Sequence, residues 1–472
     1  MDSININYRN KLLQYIEQSL IPNKNSKELS GEVFTPIFII REMLDRLPKN
    51  VWSDPKLKWL DPCVGIGNFM IIVYFRLMDG LKTWEKNEEK RKQHILENML
   101  YMVEINPKSI SILRSIFCDD LYALNIYNCS FLDDIFLDKF NIILGNPPYN
   151  ERGIGRTKGS RMPFWPKFVN QSLELLDDST ESYLLMIHPT GWRKPYTTVE
   201  RDPITKRKNQ PNIGMLFHKF INEGSIYYLK MSDQKIPNFP PVDRYIYTNR
   251  KKGKTIVDSL FQKNYSYNNK VNLTTFIQDG FGYLPSFINN TVINIFSKLF
   301  RKYNTNECYT IKYDGYFPVN KKMIKYEEGV APRAFYFCEG NYLEVYKKDE
   351  KNHEKEYFDQ PKIIMTFSGS NPVGKLNPIY YNKKIGVTSH TMYYLIKEKK
   401  DIQKHLSFFN SEIIYFLMKL TQYSPMPRNR NDYKVLNRIQ VPNLCENPTE
   451  EDIYEYYHIV KKEKELIRNI IG

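Results

Sequence analysis

Short apolar runs alternate with helical periods along the first half of the chain. Residues 57–61 predict a short strand, a glycine-containing turn follows, and a helical period begins at about Asn68. The apolar run 98–106 ends in an acidic residue, and a helical pattern follows over 107–117. Strands that alternate with helices in this way predict an α/β fold with a doubly wound, mainly parallel sheet. Its ligand is expected at the carboxyl ends of the strands.

The same rhythm continues on both sides of these elements. Residues 31–47 predict a helix, with Thr35 as its cap and a proline in its first turn. Residues 140–148 and 181–192 contain two further strands, separated by a helix-like segment over 164–176. We therefore expect a Rossmann-like sheet with helices on both faces.

The alternation fades at about residue 250, where Tyr-, Asn- and Lys-rich segments with short strand candidates such as 361–367 take over. A boundary near 248–254 predicts two domains: residues 1–250 with the α/β sheet and an N-terminal helical segment, and residues 251–472 with a mixed α+β arrangement. The chain should end in a helix capped by Asn447, which a proline and then a glutamate follow.

Charge changes this picture by suggesting a partner. The net charge is +15, and residues 361–440 contain 13 Lys and Arg residues against 4 Asp and Glu residues. A basic surface in the second half favours a polyanionic partner, of which nucleic acid is the commonest. A solvated lysine-rich surface explains the charge about as well.

Composition excludes several classes of protein. With 472 residues, 42% of them hydrophobic, the chain can bury large cores. It has no secretory signal and no apolar run of roughly 18 residues, so we expect a soluble, cytoplasmic protein without a membrane span. Its six cysteines form no Cys-x-x-Cys pair and its seven histidines no His-x-x-x-His pair. Neither a disulfide framework nor a metal site is expected.

A glycine turn and an acidic strand end indicate a cofactor site. Asp61, Gly65 and Gly67 follow the first predicted strand and precede a helix, so the backbone there can approach a ligand closely. Glu104, at the end of the next strand, is placed to accept hydrogen bonds from two ribose hydroxyls. Taken alone, these residues fit equally well a tight strand-to-helix turn without a ligand.

Further segments in a fixed order make the cofactor interpretation more specific. The sequence resembles the γ-class adenine-N6 DNA methyltransferases of restriction-modification systems, in the branch that carries a C-terminal target-recognition domain. The resemblance covers the first half well, and 424–444 loosely resembles the segment that closes the recognition domain. Its motifs are "GEVFTP" (31–36), "WLDPCVGIGNF" (59–69), "YMVEIN" (101–106), "NCSFLDD" (128–134), "GNPPYN" (145–150) and "IHPTGW" (187–192).

The resemblance implies S-adenosylmethionine as cofactor. Thr35 would contact it, Asp61 and the turn from Gly65 to Gly67 would face its methionine part, and Glu104 would hold its ribose.

The cofactor's adenine would lie beside Phe131. Ser130 stands where the family usually has an aspartate that accepts a hydrogen bond from the adenine amino group. A serine also accepts, but without the help of a charge, so cofactor affinity is expected to be weaker unless Asp133 or Asp134 substitutes.

The resemblance also implies how residues 146–149 act. The Asn146 side-chain oxygen and the Pro147 carbonyl would accept hydrogen bonds from the target adenine's amino group, which localises its lone pair for methyl transfer. Pro148 would stiffen the loop, and Tyr149 would stack on a base flipped out of the duplex. Phe239 matches a second aromatic residue that would cover the other face of that base.

Double-stranded DNA is therefore the expected partner, and a separate restriction endonuclease is left open. Arg428, Arg430 and Lys434 are candidates for phosphate or base contacts, although a solvated basic loop fits them as well. His188 and Trp192 are interpreted as packing residues. Two rival functions remain at this point: an RNA or protein-glutamine methyltransferase, and a catalytically inactive DNA-binding relative.

Overall fold

A computed structural model of the chain forms two compact units. The first contains the described residues of Met1–Pro189, Lys219–Ser232 and Val242–Val257, and the second those of Thr190–His218, Asp233–Pro241 and Asp258–Gly472. The structure describes residues 5–19, 35–133, 138–149, 163–193, 215–231, 242–261, 265–274, 276, 283–300, 307–313, 334–338, 341–345, 359–370, 372–382, 385–388, 390–422 and 430–472.

The first unit is built on an α/β sheet in the order β3-β2-β1-β4-β5-β7-β6-β8. The neighbours from β3 to β5 are all parallel, whereas β7 is antiparallel to both β5 and β6. The predicted mainly parallel sheet is therefore confirmed. Its strands are β1 (Trp59–Asp61), β2 (Leu100–Val103), β3 (Asn125–Tyr127), β4 (Ile142–Gly145), β5 (Tyr183–Pro189), β6 (Ser225–Met231), β7 (Val242–Thr248) and β8 (Thr255–Phe261), the last of which ends in the second unit.

Helices connect these strands, and four of those described bury apolar side chains in one core with the sheet. The helices are α1 (Arg9–Ser19), α2 (Ile37–Leu44), α3 (Asn68–Gly80), α4 (Glu88–His94), α5 (Pro107–Phe117), α6 (Trp165–Leu175) and α7 (Met215–Glu223), the last of which begins in the second unit. The four that share the core are α1, α2, α3 and α5. In α3, for example, every residue from Asn68 to Phe75 is buried, which matches a helix that lies against a sheet. Each helix predicted in this half is present.

One predicted cap is wrong. Helix α2 begins at Ile37, with Pro36 at the N-cap position in an extended conformation (ψ 140°) and without a side-chain cap. The Thr35 hydroxyl instead accepts a hydrogen bond from the Asn146 side chain. A distant partner has replaced the local one.

The second unit combines mainly antiparallel strands with helices, as expected for the mixed α+β half. One sheet has the order β10-β16-β13-β14 and another β12-β11-β15. Its strands are β9 (Tyr265–Val271), β10 (Lys312–Tyr313), β11 (Ala334–Cys338), β12 (Asn341–Val345), β13 (Lys362–Thr366), β14 (Ile379–Tyr381), β15 (Gly386–Val387) and β16 (Thr391–Leu395). Its helices are α8 (Asn290–Phe300), α9 (Ile402–Asn410), α10 (Glu412–Leu420), α11 (Tyr433–Leu436), α12 (Glu450–Tyr456) and α13 (Lys461–Ile471).

The predicted terminal helix is present as two helices, α12 and α13, and its cap is not Asn447. The Thr449 hydroxyl accepts from the Asp452 backbone N–H (3.2 Å), and the Asp452 carboxylate accepts from the Thr449 N–H (2.8 Å). This reciprocal pair satisfies two backbone donors that Asn447 would leave open. His458, with φ 52°, separates the two helices.

The chain passes between the two units at several points, the last between Val257 and Asp258, a few residues beyond the boundary expected near 248–254. The assignment of the two halves to catalysis and target recognition stays a prediction. Within the described ranges, none of the helices combines the length and apolarity that a membrane span requires.

The turn between β1 and α3 yields a stability prediction. At Gly67 (φ +99°) an added Cβ would lie 2.8 Å from Leu113 Cδ1, whereas at Gly65 (φ +58°) it would meet nothing within 4 Å. Gly65→Ala should therefore cost about 1–2 kcal/mol of backbone strain. Gly67→Ala should cost a further ~1–3 kcal/mol because the core there is overpacked.

Urea unfolding followed by tryptophan fluorescence checks this difference. Four of the five tryptophans lie in the first unit, so the signal reports mainly on that unit: Trp52, Trp59, Trp84 and Trp165. Equal losses of unfolding free energy in the two variants would contradict the packing described for Gly67.

Candidate active site

The segments that leave β1, β2 and β4 meet at one edge of the sheet, because these strands are parallel neighbours. The last residue of β4, Gly145, lies against the end of β1. A Cβ at Gly145 would be 3.0 Å from Asp61 Oδ1 and 3.4 Å from Cys63 Sγ, which is tighter than ordinary van der Waals contact. The absence of a side chain at this position allows the loop that starts at Asn146 to approach the glycine turn.

The glycine turn offers backbone that a ligand can approach. Gly65 and Gly67 both have the left-handed conformation that favours glycine. Gly67 packs against Leu113 and Phe117 of α5, whereas the side of Gly65 that would carry a Cβ is open. The two glycines therefore have different functions: Gly67 permits helix packing, and Gly65 leaves space at the strand ends.

Glu104 is held rigidly beside this turn. Its Oε2 accepts a hydrogen bond from the Gly65 N–H (3.0 Å), and its Oε1 accepts one from the Asn106 N–H (2.7 Å). Each carboxylate oxygen has a second lone pair. The carboxylate is thus preorganised to accept two further hydrogen bonds, which fits a pair of vicinal hydroxyls such as those of a ribose.

Asp61 supplies a second acidic group, and it is almost fully buried (1% exposed). Its Oδ1 accepts from the Cys63 N–H (3.0 Å). Burial, together with the negative charge of Glu104, raises the pKa of Asp61 to about 8, although the hydrogen bond from the Cys63 N–H acts in the opposite direction. A cationic ligand group would stabilise the ionised form, so Asp61 and Glu104 together fit a cofactor that combines a ribose with positive charge.

The Asn146 side chain is anchored to Thr35, which lies just before α2. Asn146 Nδ2 donates to Thr35 Oγ1 (3.2 Å), and the backbone oxygen of Thr35 accepts from Asn68 Nδ2 (3.2 Å). Asn146 also hydrogen-bonds with the hydroxyl of Tyr149, whose pKa is raised, chiefly by burial, so that the phenol stays neutral. With its amide nitrogen directed at these oxygens, Asn146 turns its amide oxygen to the other side.

The loop after β4 is stiff and partly accessible. Pro147 is buried, whereas Asn146, Pro148 and Tyr149 are half-buried. The Tyr149 carbonyl accepts from the Phe164 N–H (2.9 Å), which fixes the loop immediately before α6. The Asn146 amide, the Pro147 carbonyl and the Tyr149 ring are thereby held beside the glycine turn.

The residues expected around the cofactor's adenine differ in burial and in their hydrogen bonds. Ser130 Oγ already accepts from the Leu132 N–H (3.2 Å), and Asp133 is exposed. Phe131 is only 2% exposed and stacks on Phe168, with 5.6 Å between ring centroids. The roles of Ser130 and Phe131 in cofactor binding stay predictions.

Sequence reasoning missed Ile105, which is 68% exposed beside Glu104. An apolar side chain exposed at a strand end is unusual next to a carboxylate placed for ribose. The signal was visible in "VEIN" (103–106), where an apolar residue directly follows the acidic one. Ile105 is therefore a candidate to cover one face of a bound base.

The remaining predicted residues are not brought to this edge by the described structure. Phe239 and Arg428 lie outside the described residues, as do Asp134 and residues 31–34. The strand after Phe239, β7, begins opposite Pro189 at the end of β5.

Arg430 and Lys434 belong to the second unit. Arg430 is exposed, and its guanidinium lies 5.7 Å from the centre of the Phe367 ring. Lys434 is in the first turn of α11, where its N–H donates to Asp432 Oδ1 (3.1 Å). Their contact with DNA stays a prediction.

His188 and Trp192 fit the packing role expected of them, since both are completely buried. His188 stacks on Trp165 with 3.9 Å between ring centroids, and its Nε2 lies 2.9 Å from the Tyr245 hydroxyl. Burial lowers the pKa of His188 to about 3, so the ring is neutral. No group of three or more His, Cys, Asp or Glu side chains in the described part of the chain could hold a metal ion.

Comparison with known proteins agrees with this geometry. Residues 14–188 match the family model described as N-6 DNA Methylase. An uncharacterized adenine-specific methylase of Mycoplasma pneumoniae is 24% identical, over 50% of this chain and 71% of the relative.

Solved structures of restriction-modification proteins are also similar. MmeI, a type IIL restriction-modification enzyme solved in complex with DNA, aligns with a TM-score of 0.55 at 11% identity, over 99% of this chain and 79% of MmeI. BpuSI, a type IIG restriction endonuclease, aligns at 0.42 and 10% identity over 98% and 63%. The modification subunit of a provisionally assigned type I restriction enzyme of Vibrio vulnificus aligns at 0.39 and 12% over 56% and 54%. The chain thus spans about half of that subunit.

The likeness to MmeI shows the same fold, and the family match covers every element that forms the site described above. The resemblance found in the sequence is confirmed for this region, because residues 14–188 match the N-6 DNA Methylase family model.

Proposed function

We propose that this protein transfers a methyl group from S-adenosylmethionine to the exocyclic N6 of an adenine flipped out of double-stranded DNA. The observation that carries the proposal is the anchored amide of Asn146 at the same sheet edge as Asp61 and Glu104. Such a site would hold a cationic, ribose-containing methyl donor beside an oriented hydrogen-bond acceptor for an amino group. This arrangement suits methyl transfer to an amine.

The first unit contains groups suited to each part of the cofactor. Glu104 would accept from the two ribose hydroxyls, and Asp61 would face the cationic methionine part beside Gly65. Ile105 and Phe131 would lie at the adenine, with Ser130 as an uncharged acceptor for its amino group. S-adenosylmethionine, when bound, supplies an electrophilic methyl group on a positively charged sulfur.

The protein's contribution to the chemistry is to prepare the amine. Adenine's amino nitrogen is a poor nucleophile because its lone pair is delocalised into the ring. Two hydrogen bonds, accepted by Asn146 Oδ1 and the Pro147 carbonyl, would draw the nitrogen toward tetrahedral geometry and localise that pair. The effect is preorganised electrostatics and positioning rather than general-base catalysis.

The target base would have to leave the duplex to reach these acceptors. Unstacking costs a few kcal/mol. Stacking on the half-buried Tyr149 ring would offset about 1–3 kcal/mol of it. Phe239 is proposed to cover the opposite face, because β7, which follows it, begins at the sheet edge beside β5.

The second unit is proposed to recognise the DNA target. Its charge favours a polyanion, since residues 361–440 contain 13 Lys and Arg residues against 4 Asp and Glu residues. Arg428, Arg430 and Lys434 are the candidate contacts. MmeI, which shares the fold, was solved with DNA. We propose a restriction-modification role by analogy with such neighbours and leave open whether a separate endonuclease is a partner.

Methyl transfer tests the proposal directly. The purified protein, radiolabelled S-adenosylmethionine and PCR-amplified DNA, which carries no methyl groups, should yield labelled N6-methyladenine after digestion to nucleosides. Asn146→Ala should lower the rate by at least about 10²–10³-fold, because one of the two acceptors is lost. Cofactor affinity should change only a few-fold, as measured by calorimetry.

Asn170→Ala is the matched control, since Asn170 lies in α6, where its amide donates to the Pro166 carbonyl within the same helix (3.0 Å). Its rate should stay near that of the wild type. Label in RNA or protein instead of DNA would favour the first rival function. Binding of cofactor and DNA without any transfer would favour an inactive relative.

The buried Asp61 predicts a conflict between stability and binding. Because its folded pKa of about 8 lies above the ordinary 3.8, the folded state favours the protonated form, and stability falls as pH rises from 4 to 8. Asp61→Asn should therefore raise the unfolding free energy of the ligand-free protein by roughly 2–5 kcal/mol at pH 8, and by little near pH 4.

The same variant should bind S-adenosylmethionine at least about tenfold more weakly, because it lacks the negative charge. Thermal unfolding at pH 4, 6 and 8 and calorimetric titration measure both effects. A variant that is less stable at pH 8 and binds the cofactor normally would remove Asp61 from the cofactor site.

Salt dependence tests the role of Arg430. A plot of log affinity for duplex DNA against log salt concentration should be steep for the wild type. Arg430→Ala should reduce its slope by about 1. Arg250→Ala is the control, because the Arg250 guanidinium is bound to the Asp178 and Ser179 carbonyls at the opposite edge of the first unit's sheet. Equal slopes for Arg430→Ala and the wild type would exclude a phosphate contact by Arg430.

A further inference from the structure

Thr35 joins two asparagines from different parts of the first unit, one through its hydroxyl and the other through its backbone carbonyl. Its hydroxyl accepts from Asn146 Nδ2 (3.2 Å), 111 residues away, and its carbonyl accepts from Asn68 Nδ2 (3.2 Å). Thr35 and Asn68 are each 6% exposed, so the hydrogen bond between them is buried, and the hydrogen bond from the half-buried Asn146 is partly buried. A hydrogen bond that water cannot replace fixes geometry more strictly than an exposed one.

The contact with Asn146 decides which way its amide points. The last torsion of an asparagine side chain is broad and roughly two-fold, so the amide has no strong preference of its own. If it turned over, Asn146 would present N–H groups to an incoming amino group, and two donors would face each other. A hydroxyl can donate as well as accept, and in the structure the Thr35 and Tyr149 hydroxyls both accept from the amide nitrogen, which leaves the amide oxygen for the incoming amino group.

Thr35 can serve as this anchor because its own position is fixed. Pro36 follows it with φ −58°, and α2 begins directly afterwards. Asn68, which holds its carbonyl, is the first residue of α3 and follows the left-handed Gly67. The orientation of the Asn146 amide is therefore tied to the glycine turn.

We propose that Thr35 is a positioning residue that orients the Asn146 amide for catalysis and, through Asn68, ties that orientation to the cofactor turn. The inference rests on the proposed function. It differs from the role that the family resemblance implies for Thr35, which is direct contact with S-adenosylmethionine. A hydroxyl that accepts from Asn146 would affect the orientation of the amine and therefore kcat, whereas a direct contact with the cofactor would affect cofactor affinity.

The two roles separate in the kinetics of Thr35→Val, which keeps the shape of the side chain and removes the hydroxyl. A misoriented acceptor should lower kcat by about 10- to 100-fold. KM and Kd for S-adenosylmethionine should stay within about 3-fold of the wild type, a change of under one kcal/mol. Thr35→Ser, which retains the hydroxyl, should recover most of the rate, and Thr35→Ala provides a second hydroxyl-free variant if valine impairs folding.

Thr255→Val is the matched control. Thr255 lies in the first unit, is 4% exposed, and donates its hydroxyl to the Ile226 carbonyl (2.6 Å), so it loses a buried hydroxyl of the same kind. Its melting temperature should fall while its kcat stays near that of the wild type. A loss of rate common to Thr35→Val and Thr255→Val would show general destabilisation and overturn the inference.

Two further outcomes are decisive. If Thr35→Val and Thr35→Ala weaken S-adenosylmethionine binding tenfold and leave kcat at saturating cofactor unchanged, Thr35 is a cofactor contact and the positioning role is wrong. If Thr35→Ser is as slow as Thr35→Val, the hydroxyl is not the active feature. Failure of the wild-type protein to methylate DNA would instead refute the proposed function, so the two failures are distinguishable.

Discussion

The adjacency of β1 and β4 is the constraint on which the candidate site depends. As parallel neighbours they release the glycine turn and the Asn146 loop at one edge, and Gly145 lets the two approach because it carries no side chain. Had β4 paired elsewhere, Asn146 and the two carboxylates Asp61 and Glu104, to which we assign the amine and the cofactor, would lie on different edges. The order of the strands in the sheet thus determines which residues lie together at this edge.

The charged groups at this edge of the sheet lower the stability of the ligand-free protein and favour a cationic ligand. Two carboxylates, Asp61 and Glu104, lie close enough for the charge of one to raise the pKa of the other. The Gly65 and Asn106 N–H groups hold the Glu104 carboxylate in place. The buried Asp61 carboxylate accepts a hydrogen bond from the Cys63 N–H. Such a cluster persists when function requires it, and a positively charged donor is the kind of ligand that would relieve it.

Local patterns predicted much of this edge, because the elements that form it obey local rules. The turn from Asp61 to Asn68 follows from strand, glycine and helix periods that a short window contains. The Thr35 cap failed because a partner 111 residues away took the hydroxyl, and no local rule contains that contact. The cap of the terminal helix was wrong for a different reason: the prediction placed it at Asn447, whereas Thr449 caps the helix through reciprocal hydrogen bonds with Asp452.

The most direct test of the account is a crystal structure of the protein with a non-reactive cofactor analogue and a DNA duplex that contains its target. The account predicts the target adenine outside the helix, with its amino nitrogen about 3 Å from both Asn146 Oδ1 and the Pro147 carbonyl. The Asn146 amide nitrogen should remain on Thr35. An amino group bound elsewhere, or an Asn146 amide turned with its nitrogen toward the base, would contradict it.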